Sequence, residues 1–387
     1  MIREARSTGM TVLVTDASQR VALAVARALA AAGADVWAAE RRGVPAPMTF
    51  YSRHCLRRLR FSGPVGEGLL GLVRETHPDR ILPISTNTVH EVLTHRREFE
   101  KELGMALPLP GMDLFLQAND KYDVIARVTA AGGNCPETHL VDHEEELARA
   151  SANTGFPAVL KLRNDIGLFL PPGARYRIVR NPDALAAGFR ELAAVRRPVV
   201  LQRYVEGDGY GYGAVVSAGN VLADFMHRRI HEHPLEGGPS ALAESVNDPA
   251  LREAGRRILG TLGWDGPAMV EFRRNRRDGR FYFIELNPRF WGMLPLATRC
   301  GTNLPAVLAG LPSADPAVEV PAGVKMKFAA MEIARAATLL RRGRVGEAIG
   351  AMATAGNPFL ADGVFRVTDP LPAAAGFRAF LGRFGTV

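Results

Sequence analysis

Continuous apolar runs alternate with helically spaced ones at the start of the chain. TVLVT (11–15) is unbroken and β-branched, which predicts a buried strand. QRVALAVARALAAAGA follows with apolar residues at helical spacing and ends at Gly33, a residue suited to a helix C-terminus. DVWAAE predicts a second strand, RILPI (80–84) a third, and residues 88–103 a helix, so the chain opens as a parallel α/β unit. Residues 116–131 predict a helix, THLV a strand, HEEELARASANTG a helix and FPAVLKL (156–162) a strand. A loop rich in Gly, Pro and Arg covers 163–177, and 183–194 reads as helix. PVVLQRYVEGDGYGYGAVVSAGNVLADFMHRR carries three strand signals with tight turns. A helix over 248–262, a strand–turn–strand unit over 268–292 and helix over 293–310 complete this region. The remainder is Ala-rich with Pro, Gly and Arg and reads as a helical appendage, MEIARAATLLRRGRVGEAIGAM being a basic amphipathic helix for a membrane or partner or, as the safer reading, a helix packed on the core.

Bulk composition narrows the class. A chain of 387 residues that is 47% hydrophobic and 23% charged is an ordinary soluble protein, long enough for roughly two or three domains. The formal charge is +8, but of the 48 basic residues the lysines are only Lys101, Lys121, Lys161, Lys325 and Lys327. The arginines are scattered and no aromatic-rich RNA-binding pattern accompanies them, so no nucleic-acid partner is expected. Cys55, Cys135 and Cys300 are widely spaced with no CxxC, which argues against a disulfide framework and fits a reducing cytoplasm. MIREARSTGM lacks a leader's apolar core, and no apolar run is long enough to span a membrane. The loop DASQ (16–19) has no glycine where a dinucleotide fold would place several, which disfavours NAD.

The chemistry concentrates in AMVEFRRNRRDGRFYFIELNPRFWG (268–292). As a hairpin, this segment places Glu271, Glu285 and Asn287 on one surface, because alternate strand residues share a face. Two carboxylates and a carboxamide are hard oxygen ligands of the kind Mg²⁺ takes, and Glu285, flanked by FYFI and LN, needs a partner for its charge. Arg289 follows, placed to meet a phosphate. Lys121 in NDKYDVI and Lys161 at the end of FPAVLKL stand out in an arginine-rich chain as compact charges for phosphate oxygens. In HRRIHEHPLEGGPSALAESV, Arg228 and Arg229 with Gly237, Gly238 and Ser240 form a loop able to approach a phosphate or carboxylate closely. His227, His231 and His233 lack zinc-ligand spacing. Ser85, Thr86 and Asn87 end a strand where α/β sheets bind ligands, and capping of the next helix is an equal use for them.

These motifs resemble the ATP-grasp superfamily of carboxylate–amine ligases. The lysine pair about 40 residues apart, the connector VVLQRYVEGDGYG, the HRR…GG…S segment, MVEF, ELNPRFWG and CGTNLP carry the likeness. The resemblance implies a Rossmann-like pre-ATP-grasp domain (1–115), a two-lobed ATP-grasp domain (116–315, with a small lid lobe about 135–203) and a C-terminal helical extension (316–387). It implies ATP and one or two Mg²⁺ ions, with Mn²⁺ as a substitute, and small-molecule acid and amine substrates, an amino acid or small peptide being the default. Homodimerisation is a further expectation. By resemblance, Lys121 and Lys161 meet the phosphates, the backbone around Gln202, Arg203 and Val205 meets adenine, and Asp208 meets the ribose. Glu271, Glu285 and Asn287 hold metal. Arg289, with Arg228 or Arg229, stabilises the transferring phosphoryl group, and Gly237, Gly238, Ser240 and Asn303 face the substrate. The lid LRNDIGLFLPPGARYRI departs from the family in having only Gly167 and Gly173, with Arg175 or Arg177 as the replacement closing group. That departure keeps open a nucleotide-binding regulatory protein without ligase activity. A bicarbonate-dependent carboxylase or carbamoyl-phosphate-type enzyme on the same fold is the other alternative.

Overall fold

The parallel unit at the start of the chain is a sheet of order β3-β2-β1-β4, made by β1 (Thr11–Val14), β2 (Asp35–Arg41), β3 (Arg57–Phe61) and β4 (Arg80–Leu82). It is seen in a computed structural model that describes residues 8–168, 170, 174–313 and 320–382. Helices α1 (Arg20–Ala31), α2 (Val65–Thr76), α3 (Thr86–Thr94) and α4 (Arg96–Leu103) connect and cover these strands. The DASQ loop is closed without glycine. Asp16 takes a left-handed backbone (φ 54°), and its carboxylate accepts from Thr88 Oγ1 (2.9 Å) and Ser85 N (3.2 Å), tertiary bonds that hold it there. Strand β3 and helix α2 were not predicted. RRLRF at a sheet edge carries charges that hide a strand signal while guarding the edge.

Two predicted helices are broken. The 88–103 helix divides at His95 into α3 and α4. The 116–131 helix divides into α5 (Met112–Asn119) and α6 (Lys121–Ala130), because Asp120 is extended and caps α6, accepting from Tyr122 N and Asp123 N at 3.1 and 3.0 Å. That break places Lys121 at the first turn of α6.

A second sheet, ordered β5-β8-β6-β7 and antiparallel, comprises β5 (Thr138–Val141), β6 (Ala158–Leu162), β7 (Tyr176–Val179) and β8 (Val199–Arg203). Helices α7 (Leu147–Thr154) and α8 (Pro182–Ala193) cover one face, giving this lobe its own core around Leu160, Leu185 and Leu201. The predicted loop 163–177 yields its last residues to β7. Gly173 and part of the surrounding lid lie outside the described residues.

The third sheet has the order β13-β12-β9-β10-β11-β14-β15. It contains β9 (Gly207–Ser217), β10 (Asn220–Glu232), β11 (Ser240–Ser245), β12 (Gly266–Asn275), β13 (Phe281–Asn287), β14 (Lys325–Lys327) and β15 (Ala361–Asp362). Helix α9 (Pro249–Leu262) packs on one face over Tyr212 and Trp264, and α10 (Leu294–Arg299) and α11 (Leu304–Ala309) join a core shared with α1. The two lobes make the mixed α/β, two-lobed architecture expected from the resemblance.

The C-terminal region is more than helices. It adds β14 and β15 to the third sheet beside α12 (Ala329–Arg341), α13 (Val345–Gly356) and α14 (Leu371–Gly382). The single helix predicted through MEIARAATLLRRGRVGEAIGAM turns at Gly343 (φ 71°) into the α12–α13 pair. Among the described residues no helix is long and apolar enough to cross a membrane.

A buried ion pair joins the chain's two ends. Arg27, mid-helix in α1, donates through Nε to Asp369 Oδ2 at 2.9 Å with both side chains nearly inaccessible. Asp369 also accepts from Ser52 Oγ (2.7 Å) and Arg53 N (2.9 Å). Removing one member of such a pair strands the other charge. Asp369→Ala is therefore expected to cost about 3–5 kcal/mol, read as a lowered urea midpoint. An unchanged midpoint would show that the C-terminal strap does not hold α1.

Candidate active site

The site lies where the third sheet faces the second sheet and the N-terminal domain, around a cavity of about 710 Å³. Its floor is built by strand register. Glu285 on β13 stands opposite Glu271 on β12, which stands opposite Gly211 on β9, which stands opposite His227 on β10. Like charges directly across a strand pair repel, so the acids need partners. Asn287 Nδ2 donates to Glu271 Oε1 and to Glu285 Oε1 at 3.2 Å each. Arg229 Nη2 lies 2.6 Å from Glu271 Oε2.

Arg229 reaches Glu271 from β10, with β9 lying between their strands. The motif GDGYGYG (207–213) makes this reach feasible. Its tyrosines, Tyr210 and Tyr212, enter the core below, while Gly209, Gly211 and Gly213 leave the upper face bare. A Cβ at Gly209 would stand 2.8 Å from Glu232 Oε1 and 2.9 Å from Arg229 Cδ. A Cβ at Gly211 would overlap the His227 ring, and one at Gly213 the Trp291 ring.

The second sheet provides the roof. Lys161 on β6 is only 6% exposed. Burial lowers its pKa to about 8, Lys121 adds to the shift, and Glu285 and Glu271 oppose it. Glu285 is favoured in its charged form. Burial acts against that charge, but Lys121, Lys161 and the Asn287 amide prevail. Glu271 moves the other way, raised by burial and by Glu285 against the pull of Arg229. Burial likewise works against the Arg229 charge, yet Glu271 and Glu232 hold its pKa above the ordinary arginine value. Arg289 donates to Asn287 Oδ1 (3.2 Å), Phe290 O (3.0 Å) and Thr86 Oγ1 (3.1 Å), so the N-terminal domain closes one wall. Asp165, in the lid loop, sits 4.0 Å from Lys121 and pairs with Arg175. Burial would raise its pKa, but Lys121, Arg175 and Arg289 hold it below the usual carboxylate range.

Comparison with known proteins decides the family. The profile described as carbamoyl-phosphate synthase L chain, ATP binding domain, matches residues 120–311, the stretch that carries both lysines, the hairpin and the glycine row. Residues 120–311 are an ATP-grasp domain. The biotin carboxylase domain dimer of Hydrogenobacter thermophilus 2-oxoglutarate carboxylase, solved with MgADP, ADP and bicarbonate, shares this ATP-grasp fold at TM-score 0.63 and 18% identity, over 81% of this chain and 73% of that one. Carboxyaminoimidazole ribonucleotide synthase from Aspergillus clavatus, complexed with ATP, does so at TM-score 0.63 and 14% identity, over 83% and 82%. Acetyl-CoA carboxylase 2 of Oryza sativa subsp. japonica is 27% identical over 190 residues, which is 46% of this chain and 8% of that protein. The chain thus spans a small part of the length of such curated relatives.

Most residues singled out in the sequence line the ATP-grasp cavity: Lys121, Lys161, Gln202, Arg203 and Val205; Arg229, Gly237, Gly238 and Ser240; and Glu271, Glu285, Asn287 and Arg289. Arg203 turns its side chain away to Thr154 O (3.0 Å) and Asn153 O (2.9 Å). Three expectations are corrected. Arg228 and Asp208 pair with each other at 3.4 Å, Arg228 also binding Glu244 at 2.7 Å. Each is one residue from a cavity-facing neighbour, and adjacent strand residues point to opposite faces. Asn303 caps α11 through Ala306 N (3.2 Å) and donates to Ala28 O (2.7 Å), which makes it a structural residue. Ser85 caps α3 through Thr88 N (3.0 Å), whereas Thr86 lines the cavity.

His227, Trp291, Arg20 and Asp165 line the cavity without having been singled out for it. The alternating glycines of 207–213 were the available signal, since a bare strand face calls for large neighbours lying across it. Gly213→Ala is expected to displace the Trp291 ring and to cost about 1–3 kcal/mol as overpacking. The readout is the near-UV circular dichroism together with the unfolding midpoint; an unchanged signal would mean the ring does not rest on this row.

Proposed function

We propose that the chain is an ATP-dependent ligase that activates a substrate carboxylate as an acyl phosphate and couples it to an amine, releasing ADP and phosphate. The observation that carries this reading is the Glu271–Glu285 pair, set opposite in register, bridged by Asn287 and overlooked by two lysines. Two half-buried acids in such contact call for a multivalent cation, and their oxygen-only donor set with Asn287 fits Mg²⁺ or Mn²⁺. Relatives solved with MgADP or ATP support the same ligands here. A bound Mg²⁺ would neutralise phosphate charge and orient the triphosphate.

The chain's own groups would do the rest. Lys121 and Lys161 offset the charge of the α- and β-phosphates, and the backbone from Gln202 to Val205 meets the adenine edge. A carboxylate oxygen of the substrate attacks the γ-phosphorus, the bond to the β-bridging oxygen breaks, and ADP departs. Arg289 and Arg229 face the charge that spreads over the transferring group. The amine nitrogen then adds to the acyl carbon, the bond from that carbon to the phosphate oxygen breaks with its pair on the phosphate, and the proton shed by nitrogen passes to the departing phosphate. Catalysis of this kind is mainly positioning and electrostatics.

Bicarbonate as the acid is the second reading, favoured by the biotin carboxylase neighbour solved with that anion. ADP release that depends on added bicarbonate and needs no other acid would select it.

Glu285→Gln and Arg289→Ala are each expected to lower substrate-dependent ADP release by about 10²–10³-fold with circular dichroism unchanged. Wild-type rates in both variants would remove the assigned site. A pH test uses Lys161. Its pKa of about 8 in the free chain rises when phosphate approaches, so nucleotide binding takes up a proton above pH 8. Affinity for MgADP is then full below that pH and falls as pH rises, by at most about tenfold per unit for one proton. Lys161→Met should bind more weakly and without this slope. A wild-type affinity flat from pH 7 to 9.5 contradicts the assignment of Lys161.

A further inference from the structure

The cavity lining also holds polar groups that the nucleotide reading leaves unused. Helix α1 begins there, with Gln19, Arg20 and Val21 lining the cavity and no side-chain cap on its first amides. Uncapped helix N-termini favour anions. The Arg20 guanidinium rests on the Phe328 ring, 4.2 Å from its centroid, and donates to Met331 Sδ. Among the described residues no carboxylate lies within ion-pair distance of it. Asp362 attracts it only at longer range and is already engaged by Ala329 N (2.8 Å), Val364 N (2.7 Å) and Phe365 N (2.8 Å). Burial lowers the Arg20 pKa to about 10, the mark of a cation short of a partner.

Three further side chains line the same cavity with buried polar atoms that have no hydrogen-bond partner: Trp291 Nε1, Ser240 Oγ and His227 Nδ1. All three residues are at least nine-tenths buried, at 2%, 4% and 1% exposure. The Trp291 ring lies over Gly213, and a Cβ on the adjacent Gly292 would stand 3.2 Å from Arg20 Nη2, so tryptophan and arginine are neighbours. Buried polar atoms are nearly always satisfied in a working protein, so an unpartnered indole N–H beside an arginine that lacks an ion pair points to a ligand that satisfies them. The indole N–H only donates, the hydroxyl can donate, and Arg20 and the α1 amides only donate. The missing ligand is therefore rich in acceptors.

We propose that Arg20, the α1 N-terminus and Trp291 form an anion-recognition subsite of the cavity, binding a carboxylate or phosphate group of a substrate that is not the group undergoing reaction. The inference rests on the ligase reading and narrows its substrates. The acceptor amine carries its own anion, as an α-amino acid or a phosphorylated amine does. A simple alkylamine, or ammonia, leaves Arg20 without a counter-charge. His227, whose imidazole burial and Arg229 keep neutral, adds a group able to take a hydrogen bond from the amine.

The test is calorimetric and needs no knowledge of the true substrate. The full chain is first saturated with Mg²⁺ and the non-hydrolysable analogue AMP-PNP, which fills the triphosphate positions. Glycine and inorganic phosphate are then titrated separately, one arm for carboxylate and one for phosphate. At least one probe is expected to bind saturably, to bind at least tenfold more weakly in Arg20→Leu, and to weaken measurably in Trp291→Phe, which keeps the ring and loses the donor. Trp291→Phe decides the matter if Arg20→Leu does not fold. Equal binding in wild type and variants, or no binding of either probe to the AMP-PNP-loaded chain, overturns the subsite while leaving the ligase reading intact. Failure of AMP-PNP itself to bind overturns both.

Discussion

Two glutamates face each other across one strand pair, and much of the surrounding structure can be understood as the response to their repulsion. Asn287 extends its amide nitrogen to both carboxylates. Arg229 pairs with Glu271. Lys121 and Lys161 hold Glu285 in its charged form from two other elements, α6 and β6. Each compensating charge thus comes from a different part of the chain. The site exists only when the N-terminal turn of α6, the roof sheet and the floor sheet are all in place. This dependence follows from the physics of a half-buried like-charge pair, which no single neighbour can stabilise.

Getting those charges into position imposes demands on residues that do no chemistry. Arg229 can lie across β9 only because alternate residues there are glycines. Lys121 is at a helix start only because Asp120 interrupts what would otherwise be one helix, and Arg163 fixes that Asp120 at 2.6 Å. The N-terminal domain holds Thr86 against Arg289 and Arg20 against the cavity because α1 shares a core with Trp291 and Leu294. The Arg27–Asp369 pair then ties α1 to the C-terminal strap. Polar contacts that look remote from the cavity act on it through α1.

The hairpin was legible in the sequence because strand alternation has a period of two, so spacing puts Glu285 and Asn287 on one face and a hairpin register brings Glu271 opposite Glu285. The two lysines stood out against a background of arginine. Splits in predicted helices were harder to read, since Asp120 and His95 interrupt runs whose apolar spacing continues past them. Strand β3 escaped because its arginines are an edge strand's protection and a poor strand signal. Arg228 and Asp208 were misassigned by treating a motif as a unit; once each residue is given a side of its strand, they fall on the far face. Arg20 and Trp291 could not have been found by local pattern. They meet through tertiary packing between α1 and the segment after β13, which residue spacing does not encode.

The same alternation bears on how the proposed metal ligands and anion subsite can be separated. Along the row Glu285, Glu271, Gly211, His227, each step is one strand spacing, so Glu271 and His227 stand about 10 Å apart at the backbone. Effects at that separation add when no partner is shared. Arg229 is the exception, because it touches Glu271 and also depresses the His227 pKa. Substituting it would perturb both ends of the cavity together. Arg20 and Glu285 have no contact in common, so their effects should combine additively if the two regions serve separate parts of the reactants. Coupling between Arg20 and Glu285 would instead mean that one ligand spans both, with the acceptor's anion and the triphosphate competing for the same cations.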